Sequence, residues 1–166
     1  TGINFIRNAA RIAGSWGMTP RLQADPGYRR SIDSLSFTYI LRGRGFFRDP
    51  SGMRRVRAGD MLLLFPGIPH VYGPDPGGRW DELSVFFGGP VFDAWCGPGL
   101  LDEAHAVRHL EPVAAWVGRI QDALLPLARR GEQTPRDWGR MTELLGCMAD
   151  AWIAPASDPD HDWLHR

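Results

Sequence analysis

The stretch AGDMLLLFPGIPHVYGP, residues 58–74, contains residue types that could do chemistry. Gly59 permits a tight turn, and Asp60 can accept hydrogen bonds from the backbone of that turn. A bend rich in proline and glycine then leads to His70, and Tyr72 follows two residues later on the same face of the next strand. Such a histidine can bind a metal ion, contact a small molecule or pack in the wall of a barrel.

A catalytic metal site needs three or more protein ligands that converge from neighbouring strands. No histidine precedes His70, and the segment 29–34 reads RRSIDS. The later histidines lie in or near the predicted helical region: His105, His109, His161 and His165. The sequence therefore predicts no metal site and no cofactor. It leaves a structural histidine and a ligand contact as two open interpretations of His70.

A second stretch, RWDELSVFFGG at 79–89, favours the ligand interpretation. One face of this predicted strand carries ordinary packing residues, namely Leu83, Val85 and Phe87. The other face carries Trp80, Glu82, Ser84 and Phe86. A mixture of aromatic and hydrogen-bonding groups is typical of a small-molecule pocket. The alternative is that this side of the strand faces solvent.

Strand patterns surround these two stretches. LSFTYILR, from Leu35, alternates apolar and polar residues, which predicts a half-buried strand. FFRDPSGMRRVR predicts a hairpin with its turn at 49–52. MLLLF is a short unbroken apolar run, which is consistent with a strand buried on both faces.

After Pro90 the pattern changes to two amphipathic helices. The first carries apolar residues at helical spacing from Val113 to Leu127, ends at Gly131, and contains Pro126, which is expected to kink or end it. The second begins with Thr134 as N-cap and Pro135 at the first helical position. Its apolar stripe consists of Met141, Leu144, Leu145, Met148 and Trp152. Strands followed by helices predict a mainly β fold, a barrel or sandwich with a C-terminal helical pair.

Composition limits the possible functions. The 166 residues are 43% hydrophobic with no net charge, and all 19 basic residues are arginines, so chemistry that needs a lysine is excluded. Zero net charge argues against direct binding of a phosphate backbone. The two cysteines are far apart in the sequence, which is typical of a protein from a reducing compartment. The sequence contains no apolar run of ~20 residues and no signal-peptide stretch. We therefore expect a cytoplasmic protein without a membrane span.

Three segments together resemble the N-terminal domain of AraC-type transcription regulators, most of all the arabinose-regulator branch. They are TYILRGRG, RAGDMLLLFPGIPHVYGPDP and RWDELSVFFGGPVFDAW, and the resemblance covers about residues 15–155. It implies a cupin-like jelly-roll β-barrel with an N-terminal arm at 1–100, a helical dimerisation region of two antiparallel helices at 101–155, and a tail or linker at 156–166. The implied partners are a small, carbohydrate-like effector, a second copy of the chain, and DNA only through a domain outside this chain.

The resemblance also assigns residues. Tyr72 matches a sugar-contacting tyrosine, Thr19 lies in a similar Thr-Pro pair, and Arg30 is an approximate counterpart of a sugar-binding arginine. Glu82 and Ser84 replace other sugar-contacting residue types, so arabinose itself is not expected. The predicted ligand-binding residues are Thr19, Arg30, His70, Tyr72, Trp80, Glu82 and Ser84, and the apolar stripe of the second helix is the predicted dimer contact. A non-enzymatic sensor domain is expected, and a metal-dependent cupin enzyme such as a sugar isomerase or dioxygenase is the alternative.

Overall fold

The structure, a computed structural model, describes residues 11–18, 31–96, 101–130 and 132–153. Thr19, Arg30, most of the N-terminal arm and the tail therefore lie outside the described residues. The strands are β1 Arg11–Met18, β2 Leu35–Arg42, β3 Arg44–Asp49, β4 Gly52–Arg57, β5 Asp60–Leu64, β6 Val71–Pro74, β7 Asp81–Gly88 and β8 Val107–His109. The α-helices are α1 Pro90–Asp93, α2 Val113–Arg130 and α3 Pro135–Ile153.

The strands form two antiparallel sheets. A five-stranded sheet has the order β1-β7-β2-β5-β8, and a three-stranded sheet has the order β4-β3-β6. Strands that are distant in sequence therefore become neighbours, as in a jelly roll. The face of the five-stranded sheet that is directed toward the three-stranded sheet is called the inner face below, and the opposite face, directed toward the helices, is called the outer face. This architecture confirms the predicted mainly β fold with C-terminal helices.

The central strand β2 is more deeply buried than its sequence pattern predicts. Its first six residues are all buried, including Ser36 and Thr38, which are 1% and 0% exposed. The expectation of a half-buried strand is therefore wrong. The reason is the position of β2 in the middle of the five-stranded sheet, with helices on one side and the second sheet on the other. The expectation for β5 is confirmed, because all five of its residues are buried.

The predicted hairpin joins β3 and β4. Asp49 pairs with Gly52 at the end of the ladder, and the Asp49 carboxylate accepts a 2.9 Å hydrogen bond from the Ser51 amide. Gly52 has a φ of 132°, which only glycine adopts without strain. The aspartate and the glycine thus fix the turn that the sequence indicated.

The junction between α2 and α3 is held by one buried carboxylate. Asp137, whose side chain is 1% exposed, accepts hydrogen bonds of 2.8 Å from the Thr134 amide and the Thr134 hydroxyl. Arg130 at the end of α2 donates to both carboxylate oxygens, and Arg140 adds a 3.1 Å contact. Thr134 stands where the N-cap was expected, but the Asp137 carboxylate makes the capping bonds. Pro126 does not end α2, which continues to Arg130.

The apolar stripe of α3 lies inside the chain. Four of its members belong to the hydrophobic core and are 0–4% exposed: Met141, Leu144, Leu145 and Met148. Trp152 is half-buried, with the Arg108 guanidinium 5.3 Å from the centre of one of its rings. The assignment of these four side chains to a dimer contact is thereby corrected, because side chains already buried within one chain have almost no surface left for a partner.

Candidate functional site

Polar side chains line the inner face where β2 and β7 pair. The antiparallel register places Thr38 opposite Ser84, Ser36 opposite Phe86 and Ile40 opposite Glu82. Because side chains alternate along a strand, these six residues share one face of the sheet. The polar side of β7 that the sequence indicated thus faces the interior of the fold.

A hydroxyl network connects the two sheets across this interior. The Thr38 Oγ1 atom lies 2.9 Å from Ser84 Oγ and 3.4 Å from the Tyr72 hydroxyl. Either atom of each pair can act as donor. Tyr72 belongs to β6 of the three-stranded sheet, so the network spans the barrel. It brings Tyr72 and Ser84 together, since both side chains contact Thr38.

Thr38 is the centre of this network, and the sequence reasoning missed it. The signal was present, because Ser36 and Thr38 are the polar members of the β2 alternation. They were assigned to a partly exposed face. Period-2 alternation shows only that two faces differ in polarity, and it does not say whether the polar face meets solvent or a cavity.

Three aromatic rings extend the site along one line. The rings of His70 and Tyr72 have centroids 6.2 Å apart with an interplanar angle of 15°, and those of Tyr72 and Trp80 are 6.0 Å apart at 27°. The Nδ1 atom of His70 donates to the Ile68 carbonyl oxygen at 3.0 Å, which fixes the orientation of the imidazole. All three side chains are at most 9% exposed.

Gly43 makes the position of Trp80 possible. Gly43 has a φ of 95°, and a Cβ atom added to it would lie 2.5 Å from the Arg79 carbonyl oxygen and 2.7 Å from Trp80 Cβ. No larger residue fits this close backbone approach without a shift. The second glycine of the motif also matters, because a Cβ atom at Gly45 would clash with the Gly73 carbonyl oxygen. The RGRG segment thus allows the chain to pass close behind the site.

Several polar atoms on this side of the fold have no hydrogen-bond partner within the described residues. They are Ser36 Oγ, Trp80 Nε1 and Glu82 Oε2, and each atom is buried. A buried polar group without a partner costs roughly 1–3 kcal/mol. Native interiors pair nearly all such groups, so three of them near one network indicate a place for a polar ligand or water.

A separate polar cluster lies at the β5–β8 edge. His109 Nδ1 is 2.7 Å from Asp60 Oδ1, and His109 Nε2 is 3.1 Å from Glu111 Oε1. The second carboxylate oxygen of Asp60 accepts a 2.7 Å hydrogen bond from the Arg57 amide, as expected for this turn. Both ring nitrogens of His109 are therefore engaged, and the cluster connects β5 to the start of the helical region.

Tyr39 joins this cluster from the outer face. Its hydroxyl donates a 2.8 Å hydrogen bond to the Leu110 carbonyl oxygen. Burial, together with the charges of Glu111 and Asp60, raises the pKa of Tyr39 to about 12. Among the described residues no group of three or more His, Cys, Asp or Glu side chains is arranged to hold a metal ion.

Five of the seven predicted ligand-binding residues lie in described segments: His70, Tyr72, Trp80, Glu82 and Ser84. Ring contacts and the Thr38 network connect His70, Tyr72, Trp80 and Ser84. Glu82 lies two residues from Ser84 on the same face of β7. Their role in ligand binding stays a prediction.

Solved structures of cupin proteins resemble parts of this chain. A cupin protein from Bacteroides fragilis aligns over 52% of this chain and 81% of its own, with 16% identity and a TM-score of 0.37. A cupin-like protein from Thermotoga maritima aligns over 36% of this chain, with 20% identity and a TM-score of 0.34. A cupin barrel protein from Leptotrichia buccalis gives 15% identity and a TM-score of 0.34 over 48% of this chain. The alignments span only 45% and 35% of the Thermotoga and Leptotrichia chains.

No curated protein matches this sequence. None of the helices in the described segments is long and apolar enough to cross a membrane. The model of the AraC-like ligand-binding domain matches residues 17–148, which is more than half of the 166 residues. The chain therefore belongs to the family of AraC-like ligand-binding domains.

Proposed function

We propose that this chain is the effector-sensing domain of an AraC-type transcription regulator and that it binds a small polar molecule on the inner face of the barrel. The observation that carries this proposal is the buried polar network of Thr38, Ser84 and Tyr72 between the two sheets. Burying hydroxyls is costly unless each has a hydrogen-bond partner, and Ser36 Oγ on the same face has none within the described residues. The membership in a ligand-binding family supplies the functional context.

The chemistry of the site favours a ligand with one apolar face and several hydrogen-bonding groups. The rings of Tyr72 and Trp80 offer an aromatic surface, while Ser36, Thr38 and Ser84 offer hydroxyls. A carbohydrate-like molecule has both properties, because its C–H face packs on aromatic rings and its hydroxyls exchange hydrogen bonds. Thr19 and Arg30 remain proposed contacts from the sequence.

Binding would regulate by favouring one arrangement of the full regulator over another, since a ligand shifts only states that it binds unequally. We propose that the chain acts as a homodimer, with DNA bound by a different domain of a longer protein. Leu125 on α2 and Ile153 on α3 are exposed at 44% and 68%, and they offer apolar surface for pairing. Light scattering that shows a monomer at micromolar concentration would count against the dimer.

Calorimetry against a panel of sugars and small polar metabolites tests the binding proposal. For a ligand found in this way, Tyr72→Phe should weaken binding about tenfold, the equivalent of one hydrogen bond. His70→Ala should weaken binding further, because it removes the ring that stacks on Tyr72.

Tyr39→Phe is the matched control for the calorimetry, because it removes the same hydroxyl group from the outer face, where the hydroxyl contacts Leu110. Unchanged affinity in both Tyr72→Phe and His70→Ala would refute the site. Stoichiometric iron, manganese or zinc in the purified protein would instead favour the metal-dependent cupin enzyme.

A further inference from the structure

The inner face contains an acidic side chain whose charge nothing in the described chain balances. Glu82 on β7 has one carboxylate oxygen, Oε2, that is buried and has no hydrogen-bond partner. No arginine or histidine whose side chain the structure describes forms an ion pair with it, whereas seven other carboxylates are paired: Asp49, Asp60, Asp75, Asp81, Asp102, Glu111 and Asp137. Glu82 therefore differs from the structural carboxylates of this protein.

None of the arginine side chains that the structure describes is paired with Glu82. Most are exposed, including Arg42 and Arg44, whose side chains are 85% and 82% accessible. The half-buried ones contact other groups: Arg48 contacts Met53, Arg54 contacts Asp49, Arg108 contacts Asp102 and Arg140 contacts Asp137. The described part of the barrel interior thus has a negative charge without a positive counterpart.

An aromatic surface accompanies this carboxylate. Trp80 lies two residues before Glu82, and its ring stacks on Tyr72 at 6.0 Å. The faces of tryptophan and tyrosine rings attract cations through their quadrupole, most strongly where water is excluded. Glu82 is partly buried, with its Oε2 atom withdrawn from water. A carboxylate of this kind beside aromatic rings is a combination that recognises an organic cation, because the ion pair and the ring contacts compensate the loss of hydration.

We infer that the effector carries a positively charged nitrogen, such as an amine, an amino sugar or a quaternary ammonium group, which Glu82 binds beside the rings of Tyr72 and Trp80. This inference rests on the proposed function and specifies the charge of its ligand. A neutral sugar would leave the charge of this partly buried carboxylate unpaired among the described side chains, whereas a cation neutralises it.

Matched pairs of probes test the charge directly. Each pair has similar shape but differs in charge: choline and 3,3-dimethylbutan-1-ol, putrescine and butane-1,4-diol, glucosamine and glucose. In calorimetry with the wild-type chain, the cation of at least one pair should bind about tenfold more tightly than its neutral partner. In Glu82→Gln, which keeps the shape and removes the charge, this preference should fall to less than about twofold.

Glu103→Gln is the control, because it removes the same charge from an exposed 3₁₀ turn and should leave the preference unchanged. Glu82→Met is a second charge-removing variant in case Glu82→Gln does not fold. A cation preference that persists in the folded Glu82 variants would overturn the inference, and so would equal or tighter binding of the neutral probes by the wild type. In the second case neutral binding that Tyr72→Phe weakens would still support the proposed function. If no probe of either charge binds, the inference fails, and the wider metabolite panel decides the proposed function separately.

Discussion

Both faces of the central strand β2 are buried, but they are chemically different. On the outer face the Phe37 ring packs in a tilted arrangement against Phe87, with centroids 6.1 Å apart, and the Tyr39 hydroxyl donates to the Leu110 carbonyl oxygen. On the inner face the hydroxyl of Thr38 joins Ser84, while other buried polar atoms on that side lack partners. Burial alone therefore does not distinguish a core from a binding site. The inner face differs because its hydroxyls form a network that spans the two sheets, whereas unpaired buried polar atoms occur among the described residues on the helical side as well, at Gln133, Trp138 and Trp152.

The largest expected effect comes from the outer face. Phe37→Ala removes a fully buried ring from the core, and we expect the free energy of unfolding to fall by about 3–5 kcal/mol. Urea denaturation measures this. The adjacent Thr38→Val, on the inner face, should cost about 1–2 kcal/mol, since it is nearly isosteric and removes the hydroxyl that contacts Ser84 and Tyr72. Equal losses in the two variants would contradict the division of roles.

We expect the loss of stability in acid to arise from the helical region, at Asp137. Burial by itself would raise the pKa of Asp137, but hydrogen bonds from Arg130 and Thr134 outweigh it and hold the pKa below its ordinary value of 3.8. A carboxyl group whose pKa is depressed on folding stabilises the fold above its ordinary pKa, and this stabilisation is lost as pH falls through the folded pKa.

Asp137→Asn should therefore lower the free energy of unfolding by about 2 kcal/mol at neutral pH and flatten its dependence on pH in the acid range. Unfolding curves from about pH 7 to about pH 3 measure both effects. Asp122→Asn on the exposed side of α2 is the control and should leave the profile of the wild type intact. An unchanged acid profile in Asp137→Asn would show that the acid sensitivity arises elsewhere.

A smaller effect is expected when a tyrosine hydroxyl is removed from each face and the affinity for the effector is compared. Tyr39→Phe leaves the Leu110 carbonyl without its donor, so we expect a loss of about 1 kcal/mol in the free energy of unfolding. Its affinity for a confirmed effector should match that of the wild type, whereas Tyr72→Phe should bind more weakly. Thermal unfolding and calorimetry on the same samples measure both. Weaker binding in Tyr39→Phe would place the outer face in the site.

The smallest effect is spectroscopic. The chain has three tyrosines, and burial with the charges of Glu111 and Asp60 raises the pKa of Tyr39 to about 12. An alkaline titration of phenolate absorbance should show one tyrosine ionising near that pH. This late step should be absent in Tyr39→Phe. Its persistence there would assign the late ionisation to another tyrosine.

Local sequence patterns predicted much of the fold because they reflect local physics. The Asp49–Gly52 turn, the buried run in β5 and the two amphipathic helices follow from turn chemistry and hydrophobic periodicity. The polar face of β7 was also recognised, with Glu82 and Ser84 on it. Thr38 was missed, and the apolar stripe of α3 was assigned to a dimer contact. The reason is that a sequence pattern shows which residues share a face but not what packs against that face.

The sequence by itself determined which residues share a face, since alternation along a strand and periodicity along a helix are set by backbone geometry. It also determined the turns, through Asp49, Gly52 and Gly43. Only the tertiary structure decided where each face points. The order β1-β7-β2-β5-β8 brings Thr38 beside Ser84, and the facing sheet brings Tyr72 within 3.4 Å of the Thr38 hydroxyl. These contacts join residues 34 and 46 positions apart, which local preferences do not encode.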